Sequence, residues 1–299
     1  MSPGIHLLHK PVGPTSFSLV RSCIAEAEAA RPGRKRPSIC HGGTLDPFAS
    51  GLLLILVEPA TRLFDHLHNI PKTYDATVRW GIETDNGDPG GRVISEADAS
   101  TLSAELLEST LGQFVGWHEQ TPHPTSAKRV DGERAYVRAH RGESVAMPPS
   151  RVYLHEARWL SHDLPRSSRL RLVVRGGYYV RALARDFGRA LGCGAHLSAL
   201  HRTAIGPWQD PGEGQRVELH ARELLPWLSR RDLTDMEVGD LRQKKPIPPA
   251  TIHPADWALP EAFIDPSQLI RAFHQGRLVY LLSPTPAGLT ATTELRGGV

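Results

Sequence analysis

The sequence predicts an α+β fold with a small β-rich module at its carboxyl end, and three observations carry this. Strand-like and helix-like stretches follow one another without the strict strand–helix–strand alternation that builds a parallel sheet. A length of 299 residues suits a main domain plus a smaller one, since domains usually run to roughly 100–200 residues. Beyond about Gly212 the composition shifts to the turn-rich P-I-P-P-A-T-I-H-P of Pro246 to Pro254, then to two strand-like pieces, G-R-L-V-Y-L-L and G-L-T-A-T-T-E-L. The predicted division is therefore 1–211 and 212–299, with an insertion at about 119–150 inside the first part.

Ile5 to Leu8 reads as a short strand, and K-P-V-G-P-T-S after it as a turn ending in the helix-capping types Thr15 and Ser16. The next helix should bury Phe17, Val20, Ile24 and Ala27, which recur at helical spacing, and stop at the basic stretch near Pro32. After the glycine-rich H-G-G-T-L-D-P-F-A-S-G, the run Leu52 to Val57 is aliphatic on both faces, as in a fully buried strand. Pro59 suits the first turn of a short helix through His66.

From Lys72 to Gly81, Tyr74, Ala76, Val78 and Trp80 alternate with Asp75, Thr77 and Arg79, the pattern of a half-buried strand. T-D-N-G-D-P-G-G is a loop by its turn chemistry, and Ala104 to Phe114 an amphipathic helix. Residues 119–150 show little periodicity and many basic and turn types; loops of this length in a compact domain are usually functional or disordered, and the expectation is a substrate-touching insertion. Strands return at Val152 to Trp159 and Leu170 to Val174. A helix from Tyr179 to Leu191 then presents Val180, Leu183, Ala184, Phe187 and Leu191 on one face, and Arg181, Arg185 and Arg189 on the other, with Gly192 just past its end.

Composition excludes more than it assigns. Apolar residues make up 40% and charged ones 22%, which belongs to a folded chain and not to a disordered one. The longest aliphatic run, Leu52 to Val57, is far below the roughly 20 residues of a membrane span, and the opening M-S-P-G-I-H-L-L-H-K lacks an extended apolar segment. The expectation is a cytoplasmic protein, monomeric by default. Three cysteines without C-x-x-C spacing, and 15 histidines without an H-E-x-x-H pattern, predict neither a disulfide framework nor a metal centre.

A net charge of +3 is compatible with a nucleic-acid partner but too small to announce one. Two local clusters say more: Arg31, Arg34, Lys35 and Arg36, and Lys128, Arg129, Arg134, Arg138 and Arg141 around Tyr136. Basic side chains beside an aromatic can neutralise phosphates and stack a base, although each cluster alone also fits a solvated loop.

Asp46, between Gly42, Gly43 and Pro47, is presented from a stiff backbone beside the core. Loop aspartates also serve simply to bond nearby amides, so position alone leaves its role open. The surrounding residues go further. The segment H-G-G-T-L-D-P-F-A-S-G resembles the H-x-G-x-L-D-P-x-A-x-G signature of the TruB-type pseudouridine synthases, which modify uridine 55 in the T loop of transfer RNA. K-P-x-G-x-T-S at Lys10 to Ser16, A-T-R at Ala60 to Arg62, K-x-Y at Lys72 to Tyr74 and T-D-x-x-D at Thr84 to Asp88 stand in the order and spacing of that family. So do Q-T-P…S-A at Gln120 to Ala127, G-x-x-A-Y at Gly132 to Tyr136 and G-x-Y-V-R…L-G-C-G-A-H-L-x-x-L-x-R at Gly177 to Arg202. The likeness covers roughly residues 4–210.

The resemblance implies a mixed, mainly antiparallel sheet of pseudouridine-synthase type. It implies that Asp46 is the nucleophilic carboxylate, that Arg181 pairs with it, and that Tyr74 stacks on a flipped uridine. Tyr179 and Leu200 would line the base pocket, His41 would help fill the space vacated in the T loop, and Lys10 would bind substrate. These roles agree with chemistry, because work on a base inside a folded loop requires extrusion into a pocket of aromatic and aliphatic walls. An arginine beside Asp46 should favour its ionised, nucleophilic form. The base leaves the sugar at N1 and rejoins it through C5, so no cofactor is implied, and G-x-x-x-x-G-K-[ST] is missing. The partner implied is tRNA, with no obligate protein partner, and the carboxyl-terminal module is PUA-like in character.

Three departures from the family pattern stand out. His9 replaces an aspartate before Lys-Pro, Glu58-Pro59 replaces Gly-Glu, and Q-T-P-H-P-T-S-A-K-R replaces Q-x-P-P-x-Y-S-A-x-K, which puts Thr125 where the family has tyrosine. Two rivals come from other classes. One is a tRNA-binding protein without chemistry, which would need no buried carboxylate. The other is a glycoside-type hydrolase pairing Asp46 with Asp85 or Asp88.

Overall fold

A ten-stranded sheet organises most of the chain. The computed structural model describes residues 1–299 apart from 31, 34, 127, 131, 142, 144 and 264–267. Arg31 and Arg34 of the first basic cluster therefore lie outside the described residues, as do the side chains of Arg129, Arg134 and Tyr136 in the second.

The main path of the sheet runs Arg216–Glu218, Gly4–Lys10, Ser50–Val57, Ala195–Ile205, Lys72–Trp80, Ser167–Val174, Ser150–Asp163, Gly116–Gln120. Each neighbouring pair is antiparallel except Ser50–Val57 with Ala195–Ile205. The mixed, mainly antiparallel α+β architecture is thus as expected. A second, four-stranded sheet follows in the order Ser229–Asp232, Ile270–His274, Arg277–Thr285, Gly288–Glu294.

The half-buried strand reads as its sequence does, with Tyr74, Ala76, Val78 and Trp80 buried and the intervening residues open. That face packs under the helices Ala104–Leu111 and Val180–Ala190 in one cluster with Leu107, Leu111, Leu170, Leu172, Leu183, Phe187 and Leu197. Trp80, Trp159 and Phe187 stack with ring centroids 5.6–6.1 Å apart, the spacing of favourable offset pairs.

Ser50–Val57 is buried on both faces, as its unbroken aliphatic run requires. Leu53, Ile55 and Val57 meet Val20, Cys23 and Ala27 of the helix Ser16–Ala30, while Leu52, Leu54 and Leu56 meet Ile5, Leu7, Leu63 and Leu67. The second cluster also takes in Phe273, Leu278 and Leu281 of the four-stranded sheet, so the carboxyl-terminal strands share a core with the large sheet.

Several expectations change. Phe17 is 60% exposed, because the first helix buries Ser16, Val20, Cys23 and Ala27 instead, and the Arg21 guanidinium lies 5.6 Å over its ring. The strand after the insertion is longer than predicted, running from Ser150 to Asp163. Ala195–Ile205, at the centre of the sheet, was legible only as a motif. Its polar residues break the alternation yet find partners inside: His196 Nδ1 meets the Ile82 carbonyl at 2.9 Å, and Thr203 Oγ1 donates to the Thr73 carbonyl at 3.3 Å.

Gly51 shows how closely this central strand is approached. Its φ is +107°, and a Cβ there would stand 2.3 Å from the Arg202 carbonyl oxygen. Gly51→Ala combines a disfavoured backbone region with overlap against immovable backbone. It should destabilise the fold by about 1–3 kcal/mol, read as a lower urea midpoint.

Candidate active site

A cavity of about 270 Å³ opens where the loops at one end of the sheet converge, with Gly42 to Asp46, Lys72, Tyr74, Val174, Tyr178 to Arg181, Leu200 and Arg202 in its wall. Five residues expected at the site, Asp46, Tyr74, Tyr179, Arg181 and Leu200, line it together. They come from separate parts of the chain. Asp46 stands between the strands Ile39–His41 and Ser50–Val57, Tyr74 on a central strand, and Tyr179 caps the helix that carries Arg181 in its first turn.

Arg181 reaches Asp46 through two nitrogens, with Nε 3.0 Å from Oδ2 and Nη2 3.4 Å from Oδ1. Nη1 donates to the Asn86 carbonyl at 2.8 Å and to Thr125 Oγ1 at 2.9 Å, and it lies 3.8 Å from Asp88 Oδ2. A cation in the first turn of a helix opposes the helix dipole, and these acceptors offset that cost. The arginine face opposite the apolar stripe is largely buried: Arg181 and Arg185 are 8% and 9% exposed, and of the three only Arg189 reaches outward, where it pairs with Glu83 at 2.6 Å.

Asp46 keeps a third of its side-chain surface open, yet protein surrounds it closely enough to penalise charge. Burial pushes its carboxyl above the usual aspartate range. Arg181 and, more weakly, Lys10 pull it down, while Asp88 adds to the rise. The arginine thus acts in the expected direction without prevailing: the carboxylate sits at the less acidic side of its ordinary value because desolvation outweighs the ion pair.

Lys10 and His41 fall elsewhere. Lys10 is fully buried behind the Asp46 loop, where Nζ donates to the carbonyls of Pro11 at 2.7 Å, Pro14 at 2.9 Å and Pro47 at 3.4 Å. It pins the residue that follows Asp46 and does not face the cavity. His41 ends the strand leading into the loop, and its Nδ1 accepts from the Gly43 amide at 3.4 Å; it too stands outside the lining. Ser16 completes the fastening, with Oγ accepting from the Leu45 amide at 2.8 Å and donating to the Leu45 carbonyl at 3.0 Å.

Two further cations brace the walls. Arg202, 1% exposed, donates to the carbonyls of Leu52, Thr44 and Gly43 at 2.7, 3.3 and 3.0 Å. Lys72 donates to the carbonyls of Leu67, His68 and Ile70 at 3.4, 2.8 and 3.4 Å, and burial together with Arg202 and Arg175 pushes its pKa down to about 7. A signal for Lys72 was present in the sequence, since it falls in phase with Tyr74, Ala76, Val78 and Trp80 on the buried face of its strand. Phe64, His68 and His123, also in the wall, carried no such signal.

Among the described residues no group of three or more His, Cys, Asp or Glu side chains could hold a metal ion. Asp85 and Asp88 are not part of the cavity wall, and Asp46 is the carboxylate that faces it. Lys128, expected to reach RNA, is tied across the base of the insertion to the Pro148 carbonyl at 2.7 Å and Ser150 Oγ at 2.5 Å.

The unfolded chain holds the Lys72 proton up to about pH 10.5, the folded chain only up to about 7. The unfolded state therefore binds more protons between those values, so this group makes stability rise with pH across that window. Thermal unfolding of Lys72→Met should show a shallower rise of Tm with pH from 7 upward than the parent protein does.

Residues 33–180 match the TruB family pseudouridylate synthase N-terminal domain, and residues 181–243 match the tRNA pseudouridylate synthase B C-terminal domain. The chain is 37% identical over 225 residues to the tRNA pseudouridine synthase B of Bordetella pertussis, covering 75% of this chain and 88% of that one. It is 39% identical over 249 residues to the same-named protein of Parasynechococcus marenigrum, covering 80% and 82%. In fold it is similar to a chain in the crystal structure of a Cbf5-Nop10-Gar1 complex, with a TM-score of 0.64, 21% identity, and coverage of 98% of this chain and 84% of that one.

Proposed function

From its membership of the TruB family of pseudouridylate synthases, which makes it an enzyme that isomerises uridine to pseudouridine in tRNA, we propose that this chain acts on uridine 55 of the T loop. The target base is flipped into the cavity, and Asp46 is the nucleophile. The observation that carries this reading is the Arg181–Asp46 pair, with Nε 3.0 Å from Oδ2, in the wall of a cavity that also presents Tyr74, Tyr179 and Leu200.

Those three side chains offer the aromatic and aliphatic surfaces between which an extruded base is held. Arg181 and Arg202 make the walls cationic, which suits the approach of an anionic backbone to a carboxylate that would otherwise repel it. The isomerisation breaks the bond from C1′ to N1 and forms one from C1′ to C5. A proton leaves C5 and one is gained at N1, so the balance closes without an external electron, group or cofactor. A hydrolase with paired carboxylates is less well supported, because Asp88 approaches Arg181 from outside the wall.

We further propose that residues 1–211 carry catalysis, with the 119–150 insertion gripping the T arm. Residues 212–299 would form a PUA-like RNA-binding module, its short strand Arg216–Glu218 returning to the edge of the large sheet. A cytoplasmic monomer without an obligate protein partner completes the proposal. Among the described residues no helix is long and apolar enough to cross a membrane.

The decisive experiment incubates the purified protein with an unmodified tRNA transcript, without added cofactor, and maps pseudouridine in the T loop. Asp46→Asn should yield none while binding the transcript at least as tightly, because phosphate contacts supply most of the affinity and an anion has been removed. Product from this variant, or product outside the T loop from the parent, would overturn the nucleophile or the site. Activity should also fall as pH drops through the raised Asp46 value. Arg181→Ala removes the strongest group pulling that value down, so the acid limb of its residual kcat/KM should move to higher pH, alongside a large loss of kcat.

A further inference from the structure

Resting on the reading above, we infer that Thr125 is a positioning residue for the reaction: through Arg181 it sets the guanidinium on the Asp46 carboxylate. A guanidinium has five N–H donors in a rigid plane, so fixing one edge orients the other. In Arg181 the edge formed by Nε and Nη2 meets Asp46, and the remaining nitrogen, Nη1, is held from behind. The acceptors behind are the Asn86 carbonyl at 2.8 Å and Thr125 Oγ1 at 2.9 Å, with the Thr125 carbonyl 3.4 Å from Nη2. Among the described residues Thr125 is the one side chain within close hydrogen-bond reach there, since Asp88 stands off at 3.8 Å.

The segment that delivers Thr125 is itself wedged against Arg181. His123 is 4% exposed, and its Nδ1 faces the Asp85 carbonyl at 3.2 Å, which accepts only, so Nδ1 carries the proton. Burial and the neighbouring Arg185 and Arg181 push its pKa down to about 4, so the ring is neutral, and its Nε2 edge is buried. That edge packs against Gly87, where a Cβ would come within 2.6 Å, and a Cβ on Gly87 would also stand 3.2 Å from Arg181 Cβ. The ring thereby locks residues 121–126 to the Thr84 to Asp88 turn at the base of the arginine. His123 and Thr125 are both departures from the family pattern quoted above, and both fall on the scaffold of the same guanidinium.

The test compares Thr125→Val, which keeps the shape and removes the hydroxyl, with Thr125→Ser, which restores it. Two readouts are used. With tRNA transcript, Thr125→Val should lower kcat on the order of tenfold, the scale of one hydrogen bond to a charged group, leave KM within about twofold, and move the acid limb of kcat/KM upward. Thr125→Ser should return all three towards the parent values. Independently of activity, carbon-13 titration of labelled aspartate, with Asp46 identified through Asp46→Asn, should show the Asp46 pKa higher in Thr125→Val than in the parent or in Thr125→Ser. An unchanged Asp46 titration in Thr125→Val overturns the inference, as does a loss that appears in KM alone or that Thr125→Ser fails to rescue. If the parent protein makes no pseudouridine, the functional reading falls while the titration still decides the role of Thr125.

Discussion

The contact between Arg181 and Asp46 is the interaction around which the cavity is built. Taking a carboxylate out of water costs several kcal/mol unless a partner and hydrogen bonds compensate, and here the compensation is partial. Burial leaves the carboxyl above its ordinary range even with the guanidinium 3.0 Å away. A carboxylate held in this way is less stabilised by solvent than one on the surface, and a less solvated anion is the better nucleophile. It also explains why so much of the surrounding structure is given over to holding two side chains still.

The holding is done by cations that donate to main-chain carbonyls. Lys10 grips the carbonyls of Pro11, Pro14 and Pro47, Arg202 those of Gly43, Thr44 and Leu52, and Lys72 those of Leu67, His68 and Ile70. Irregular loops leave carbonyls without ladder partners, and a buried ammonium or guanidinium satisfies three of them at once. The same groups raise the positive potential around Asp46, the one carboxylate in the wall among the described residues. Loop geometry and cavity electrostatics are therefore set by the same side chains, so Lys10, which never meets the cavity, still bears on it.

The sheet supplies the stiffness behind these loops. Its central strands carry Tyr74, Leu200 and Arg202 in adjoining registers, with Tyr74 opposite Arg202 and Ala76 opposite Leu200. The neighbouring Ser50–Val57 strand is buried on both faces and is shared between the core under the first helix and the core that reaches the carboxyl-terminal sheet. Asp46 sits four residues before that strand, so the carboxylate is anchored to the least yielding part of the molecule.

Period-two alternation from Lys72 to Trp80, the unbroken aliphatic run from Leu52 and the helical stripe from Val180 to Leu191 were legible in the sequence because each records a face buried by its own local geometry. So was the H-x-G-x-L-D-P segment, because its residue types lie in order along one short stretch of chain. Other features belong to the tertiary structure. Phe17 has the spacing of a core residue and is exposed, because Ser16 is drawn inward by its bonds to Leu45. Arg181 and Arg185 have the spacing of a solvated face and are buried, because loops from distant parts of the chain close over them with carbonyls and carboxylates. The strand Ala195–Ile205 hides behind polar residues whose partners are more than a hundred residues away. What the sequence determined by itself is the elements whose buried face shows as a local period, and the segment that supplies the cavity's carboxylate. Which charged side chains meet, and whether each touches substrate or only braces a neighbour, was decided by the tertiary structure, since a buried charge goes wherever the fold brings it an acceptor.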